Sequence, residues 1–204
     1  YTRNDGTGTW IEAPLEFDLA SWLGGQPATR YSLFRLVRGL DQKVHLIFWA
    51  NPGSGAQMLF QATLAPNGWY VRGHGDYRAL LTDGEFAFEE MFALQVDGSG
   101  RLHVCFSSNE PYGDPENLPR ERLNWARSAG AGWTREVLRQ GASVDDRPAW
   151  NAHMALDRNG DPRALSLHTT HAVTGSMQTA KLYYYRRTGA NTWSRELIAD
   201  SADG

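Results

Sequence analysis

The chain has 204 residues, a formal net charge of −3, 41% hydrophobic residues and 21% charged ones. A charge balance this close to neutral gives no electrostatic case for nucleic acid or an anionic membrane as a partner. No apolar run approaches the roughly 20 residues that a membrane-spanning helix needs. The length allows one sizeable core or two small ones. The single cysteine forbids an internal disulfide. Cys105, inside Leu102-His103-Val104-Cys105-Phe106, reads as a small buried hydrophobe. Eight Trp, eight Tyr and eight Phe, with 21 Gly and nine Pro, favour many short strands joined by tight turns. The chain opens at Tyr1 without Met and shows no signal-peptide pattern, so it reads as a trimmed or excised piece.

In chain order, Tyr1 to Gly8 reads as a loose end and Thr9 to Glu12 as a short strand. Leu15 to Leu23 fits one helical turn or a strand, ended by Gly24-Gly25-Gln26-Pro27. From Tyr31 onward, apolar and polar residues alternate in short runs, the period of half-buried strands. Strands are expected over 31–38, 43–50, 57–64 and 69–72. A second set is expected over 90–96, 101–107, 121–127 and 133–138, and a third over 152–156, 162–168, 181–187 and 193–198. Pro162 opens its strand, where its missing N–H is tolerated.

The sets are copies of one unit. Trp10, Trp69, Trp133 and Trp193 each open a fourth strand, at spacings of 59, 64 and 60 residues. A D-x-x-G turn recurs at Asp97/Gly100 and Asp157/Gly160, and Gly39/Gln42 is its degenerate first copy. Four strands per copy, with an aromatic at a fixed point, is the pattern of propeller blades. The expected fold is therefore all-β, a β-propeller portion. It has three four-stranded antiparallel blades over 31–89, 90–150 and 151–200, preceded by a lone strand and linker over 1–30. Three blades do not close a ring, and the outer faces of the first and third would expose apolar surface. The remaining blades are expected from a longer chain or from a homo-oligomer.

Two stretches carry a resemblance. Ala155-Leu156-Asp157-Arg158-Asn159-Gly160-Asp161-Pro162, followed by Leu182-Tyr183-Tyr184-Tyr185-Arg186-Arg187-Thr188-Gly189-Ala190-Asn191-Thr192-Trp193, resembles blades of bacterial secreted β-propellers of the sialidase-like, or neuraminidase-repeat, group. The resemblance spans Tyr31 to Asp200, without an intact Asp-box, S-x-D-x-G-x-x-W. It implies a secreted or periplasmic protein. A sialidase site would need three clustered arginines, and no motif selects three from Arg30, Arg35, Arg120, Arg122 and Arg147. His153, the Asp157 to Gly160 turn and His168 are similar to the pattern of propeller polysaccharide lyases such as ulvan lyases. That likeness implies removal of the proton beside a uronate carboxylate, with Arg neutralising the carboxylate.

Blade geometry sorts the loops. Short repetitive turns follow strands one and three, and long irregular loops follow strands two and four on the opposite face, the usual place for binding. That face is expected to gather His153, His168, His171 and Arg147 as catalytic candidates. Trp49, Tyr112, Trp150 and Asp146 are the ligand-binding candidates there. Three readings compete for the histidines: hydrogen-bonded strand and loop residues, acid–base work by His168 or His171, or an H-x-x-H metal site completed by His153 or an Asp. His45 and His103 recur at one position, where Arg163 stands in the third copy, and read as scaffold, as does the Trp of each fourth strand. The leading expectation is recognition of a polysaccharide or glycan on the irregular-loop face, with no cofactor or metal assigned and neither nucleic acid nor membrane as partner. The alternatives are a polysaccharide lyase or glycoside hydrolase with a His general acid/base, and a protein-interaction propeller.

Overall fold

The computed structural model describes residues 2–4, 6–12, 17–51, 58–81, 85–109, 120–130, 132–172 and 176–201. Strands β1 (Thr2–Asn4) and β2 (Trp10–Glu12) form a two-stranded antiparallel pair. Trp10 thus opens a strand outside the three main sheets, as its spacing expects. Its partner β1 lies in the stretch read as a loose end.

Blade one comprises β3 (Arg30–Arg38), β4 (Val44–Asn51), β5 (Met58–Ala65) and β6 (Gly68–Asp76), followed by a 3-10 turn over Tyr77–Leu80. Blade two comprises β7 (Phe86–Val96), β8 (Leu102–Asn109), β9 (Glu121–Ala129) and β10 (Gly132–Gln140). Blade three comprises β11 (Asp146–Leu156), β12 (Pro162–His171), β13 (Met177–Gly189) and β14 (Thr192–Asp200). Each sheet is antiparallel with its strands in chain order, and β7 packs against β3 on one side and β11 on the other. This is a partial, propeller-like fold.

The turns explain the register. Gly100 and Gly160 adopt φ of 74° and 81°, a region that suits glycine, and each donates its amide to the carbonyl of the Asp three residues earlier. The degenerate copy makes the same turn, with Gln42 at φ 64° bonding to the Gly39 carbonyl. Asp97 and Asp157 then hold the strand-two residue: His103 and Arg101 on Asp97, Arg163 on Asp157. Asp41 does the same for His45. The scaffold reading of these residues fits the geometry.

The first strands begin earlier than the alternation predicts: β7 at Phe86 rather than 90, and β11 at Asp146 rather than 152. The cause is local. Register shifts between Arg147 and Trp150, and again between Trp150 and His153, break the two-residue period, and Asn151 sits at φ 51°.

The core lies between the sheets. Ile47, Trp49, Leu59 and Leu80 pack on Val104 and Phe106 at the first junction. Cys105, Leu123 and Trp125 pack on Ala149, Met154 and Tyr185 at the second. The outer face of blade one is covered over β4 and β5, contrary to expectation, while Tyr31, Phe34 and Leu36 on β3 stay 45%, 52% and 68% exposed. Leu19 and Leu23, in a helical turn closed by a bond from the Leu23 amide to the Leu19 carbonyl (3.1 Å), bury Phe48 and Phe60 together with Phe17. Blade three's outer face stays open, with Leu165 41% and Ile198 52% exposed.

Candidate functional site

Because β11 starts at Asp146, this residue is not in a loop but opposite Thr170 at the mouth of blade three. The five residues before it fold back over it. The Ala142 amide donates to Asp146 Oδ2 (2.6 Å), and the Asp146 amide donates to the Ser143 carbonyl (3.2 Å). Gly141 is needed for this wrap, since a Cβ there would overlap the Asp146 carbonyl oxygen.

His168 shares a β12 face with Ala164 and Ser166, both buried toward blade two. Its Nε2 meets Asp146 Oδ1 in a close hydrogen-bonding contact. Burial opposes ionisation of Asp146, but the Ala142 amide and the His168 ring outweigh it and hold the carboxyl below the usual carboxylate range. With that carboxylate accepting from Nε2–H, Nδ1 keeps the lone pair. Nδ1 is buried and has no hydrogen-bond partner among the described residues.

Three further side chains stand on this face. Lys181 is the cross-strand neighbour of His168 and pairs with Asp200 (2.6 Å). The Tyr183 ring lies 5.6 Å from that of His168, and the Arg195 guanidinium stacks over Tyr183 at 4.5 Å. Lys181 and Tyr183 border an open cavity of about 390 Å³ also walled by Ala142, Ser143, Asp146 and His168.

The equivalent place in blade two is closed. Ser108 stands where His168 does, Glu85 where Asp146 does, Arg122 and Asn124 where Lys181 and Tyr183 do, and Arg135 where Arg195 does. There Arg135 donates to both Glu85 oxygens (2.6 and 2.5 Å) and to Asn124 Oδ1 (2.6 Å), and Ser108 Oγ donates to Glu85 (2.6 Å). The blade-two residues satisfy one another. The blade-three residues face open space.

The candidates named from sequence separate. His168 and Asp146 meet at the cavity. His171 lies on the other face of β12, near Thr169 Oγ1 (3.1 Å), with its ring 6.4 Å from Trp150. The H-x-x-H pair therefore does not converge on one ion. His153 is exposed and pairs with Leu165, also away from the cavity, so the expected single grouping of three histidines is corrected by strand alternation. Arg147 is exposed, and its charge acts on Glu121. Trp49, expected at the ligand face, is 1% exposed in the core between blades one and two. Both faces of its strand are covered, so a strand end beside a loop is still interior. Tyr112 lies outside the described residues. Lys181, Tyr183 and Arg195 are missed by the sequence reading. Only Arg195 has a signal, the recurrence of Trp133-Thr134-Arg135-Glu136 as Trp193-Ser194-Arg195-Glu196.

No family model matches the chain, and no curated protein sequence does. A solved structure, that of polysaccharide lyase Uly1, is similar in fold, with a TM-score of 0.52 at 9% identity over 83% of this chain and 40% of that one. The likeness is one of fold: this chain spans less than half the length of that propeller lyase.

Proposed function

We propose that this chain is the carbohydrate-recognising portion of a β-propeller, and that the glycan enters the cavity at the mouth of blade three at Asp146, His168, Lys181 and Tyr183. One observation carries this reading: residues that close on themselves in blade two are replaced in blade three by a His–Asp pair, a cation and an aromatic ring around open space. Flat rings and convergent polar groups in a concave site suit sugars. The fold likeness to a polysaccharide lyase supports the same ligand class. An extracellular polymer as ligand goes with a secreted or periplasmic protein. The test is calorimetric titration with neutral and acidic polysaccharides. Binding should weaken by about tenfold or more in His168→Ala and Lys181→Ala. No binding to any polysaccharide, or binding indifferent to both changes, would sink the reading.

A second reading has its own support. A carboxylate that orients the His168 ring at the wall of an open cavity is the arrangement of an acid–base histidine. In a lyase, His168 would take the proton beside a uronate carboxylate, with Lys181 and Arg195 offsetting the carboxylate charge. The eliminated product absorbs in the ultraviolet. An absorbance rise on uronate polymers that disappears in His168→Ala supports catalysis. Binding with a flat absorbance trace leaves recognition alone.

A further inference from the structure

The junction between blades two and three is built on one row of residues. Ala93, Cys105, Trp125 and Glu136 are aligned across the four strands of blade two by direct pairing. Blade three docks on this row. Trp193 donates its indole N–H to Glu136 Oε2 (2.8 Å) and packs edge-on against Trp125 at 5.9 Å. Arg187 donates to Glu136 through Nε (3.1 Å) and Nη2 (2.6 Å), and its guanidinium lies over Trp125 at 5.2 Å. The docked row is closed, with Trp125 2% and Glu136 8% exposed.

Blade three repeats the row on its own outer face. His153, Leu165, Tyr184 and Glu196 are aligned across its four strands by the same pairing. An aromatic stands for Trp125, and the carboxylate is kept at the position of Glu136. Here the row is open: Leu165 is 41% exposed, and His153 and Glu196 are exposed. Ile198, two residues beyond Glu196 as Leu138 is beyond Glu136, is 52% exposed, whereas Leu138 packs into the junction core.

We infer that this row is the docking surface for a further four-stranded blade of the same repeat, following blade three in sequence, which brings a Trp at the head of its fourth strand to Glu196 and an Arg from its third strand beside it. Continuity with the existing junction selects this occupant: acceptor carboxylate, aromatic floor and apolar flank recur in register. A second copy of this chain is disfavoured as the occupant. Over its middle strands β4 and β5, the blade-one face that would have to meet the row is already filled by Phe17, Leu19 and Leu23.

The test appends a second copy of residues 141–201 after Asp200, because that segment already docks on such a row. The extended chain should bind an apolar dye about as strongly as the parent, since the docked blade covers one apolar flank and presents an identical one; an undocked copy would expose both and bind more. Its thermal midpoint should rise by roughly 5 °C. Glu196→Ala in the acceptor blade, an exposed change that leaves the parent folded, should remove about half or more of that rise. Glu196→Gln, which still accepts from an indole N–H, should remove less. An unchanged midpoint, or dye binding well above the parent's, in the extended chain overturns the inference. So does a full rise that survives Glu196→Ala. A parent chain that sediments as a dimer and is silent to the dye assigns the face to a second copy instead.

Discussion

Asp146 holds the His168 ring from the first position of β11, the position from which Glu85 accepts the Ser108 hydroxyl one blade earlier. The same backbone site therefore carries a His–Asp pair beside a cavity in one blade and a closed network in the other. Asp146→Asn keeps the size but removes the charge that fixes the imidazole tautomer. Ligand affinity, or turnover if there is any, should fall by about tenfold or more. The urea midpoint should move little. Because the Asp146 carboxyl is held below its ordinary range, its contribution to stability is present above pH about 4 and is lost only as the pH falls through the lowered value. A ligand-binding titration from pH 7 to 4 should accordingly show no step from Asp146. A loss of affinity assigned to this carboxylate near pH 6 would contradict its description as an ionised anchor.

Arg135 and Arg195 share a repeat position and should respond oppositely. The Glu85 side chain is fully buried, and Arg135 bonds to both of its oxygens. Arg135→Ala removes both short ion-pair bonds from a buried carboxylate, leaving it Ser108 and the longer Arg122 contact (3.6 Å), and should cost about 3 kcal/mol, seen as a lower urea midpoint. Arg195 is exposed over Tyr183, so Arg195→Ala should cost no more than about 1 kcal/mol. It should nonetheless weaken binding of an acidic polysaccharide. Equal stability losses in the two variants would undo the contrast between a closed and an open site.

The repeat itself was legible because its signals are local. Glycines or turn residues at Gly100, Gly160 and Gln42 fix the hairpins, and Trp133 and Trp193 mark the strands that cross to the preceding blade. The first strands were only half visible, since the shifts around Trp150 and Asn151 destroy the alternation on which the reading depends. The same shifts hid Asp146 in an apparent loop. His168 stood out by composition. Tyr183 and Lys181 did not, because a half-buried strand reads alike whether its face meets a neighbour or a cavity. Trp49 failed for the complementary reason: the segment that covers its strand from the far side carries no repeat signal.

Cys105 offers a clean probe of the second junction. It is 0% exposed, and burial pushes its thiol up to about 12. An aromatic disulfide reagent should leave the native chain unmodified at pH 8 and should label one thiol per chain in denaturant. Titration of urea against labelling then reports opening between blades two and three. Glu136→Ala, which releases Arg187 and Trp193, should raise the native labelling rate by about tenfold or more. Rapid labelling of the unmodified native chain would show the junction to be open.

Acid sensitivity should fall in two separate windows. His103 is pulled down to about 4 by burial, against the opposing pull of Asp97. His74 is likewise at about 4 through burial and the Arg72 charge, with Nε2–H given to Gln61 Oε1 (2.7 Å). Both are neutral in the fold and protonate more readily when the chain unfolds. Between pH about 6.5 and 4 the unfolded chain therefore binds the extra protons. Stability is complete above that window and declines as the pH drops through it, by about 1.4 kcal/mol per pH unit for each histidine. Asp97 follows the carboxylate pattern. Burial opposes its ionisation, but the Arg101 and Ser99 amides, the Arg101 guanidinium and the His103 ring hold it at about 2. Its contribution is lost only below pH about 4, as the pH falls through that lowered value. Urea midpoints measured from pH 7 to 5 should decline in the parent chain, and the slope should flatten in His103→Gln, which can still donate to Asp97 but does not titrate. His74→Gln should flatten it independently, and the double variant should be nearly level down to pH 5. A parent slope that persists in the double variant would place the acid-sensitive groups elsewhere in the molecule.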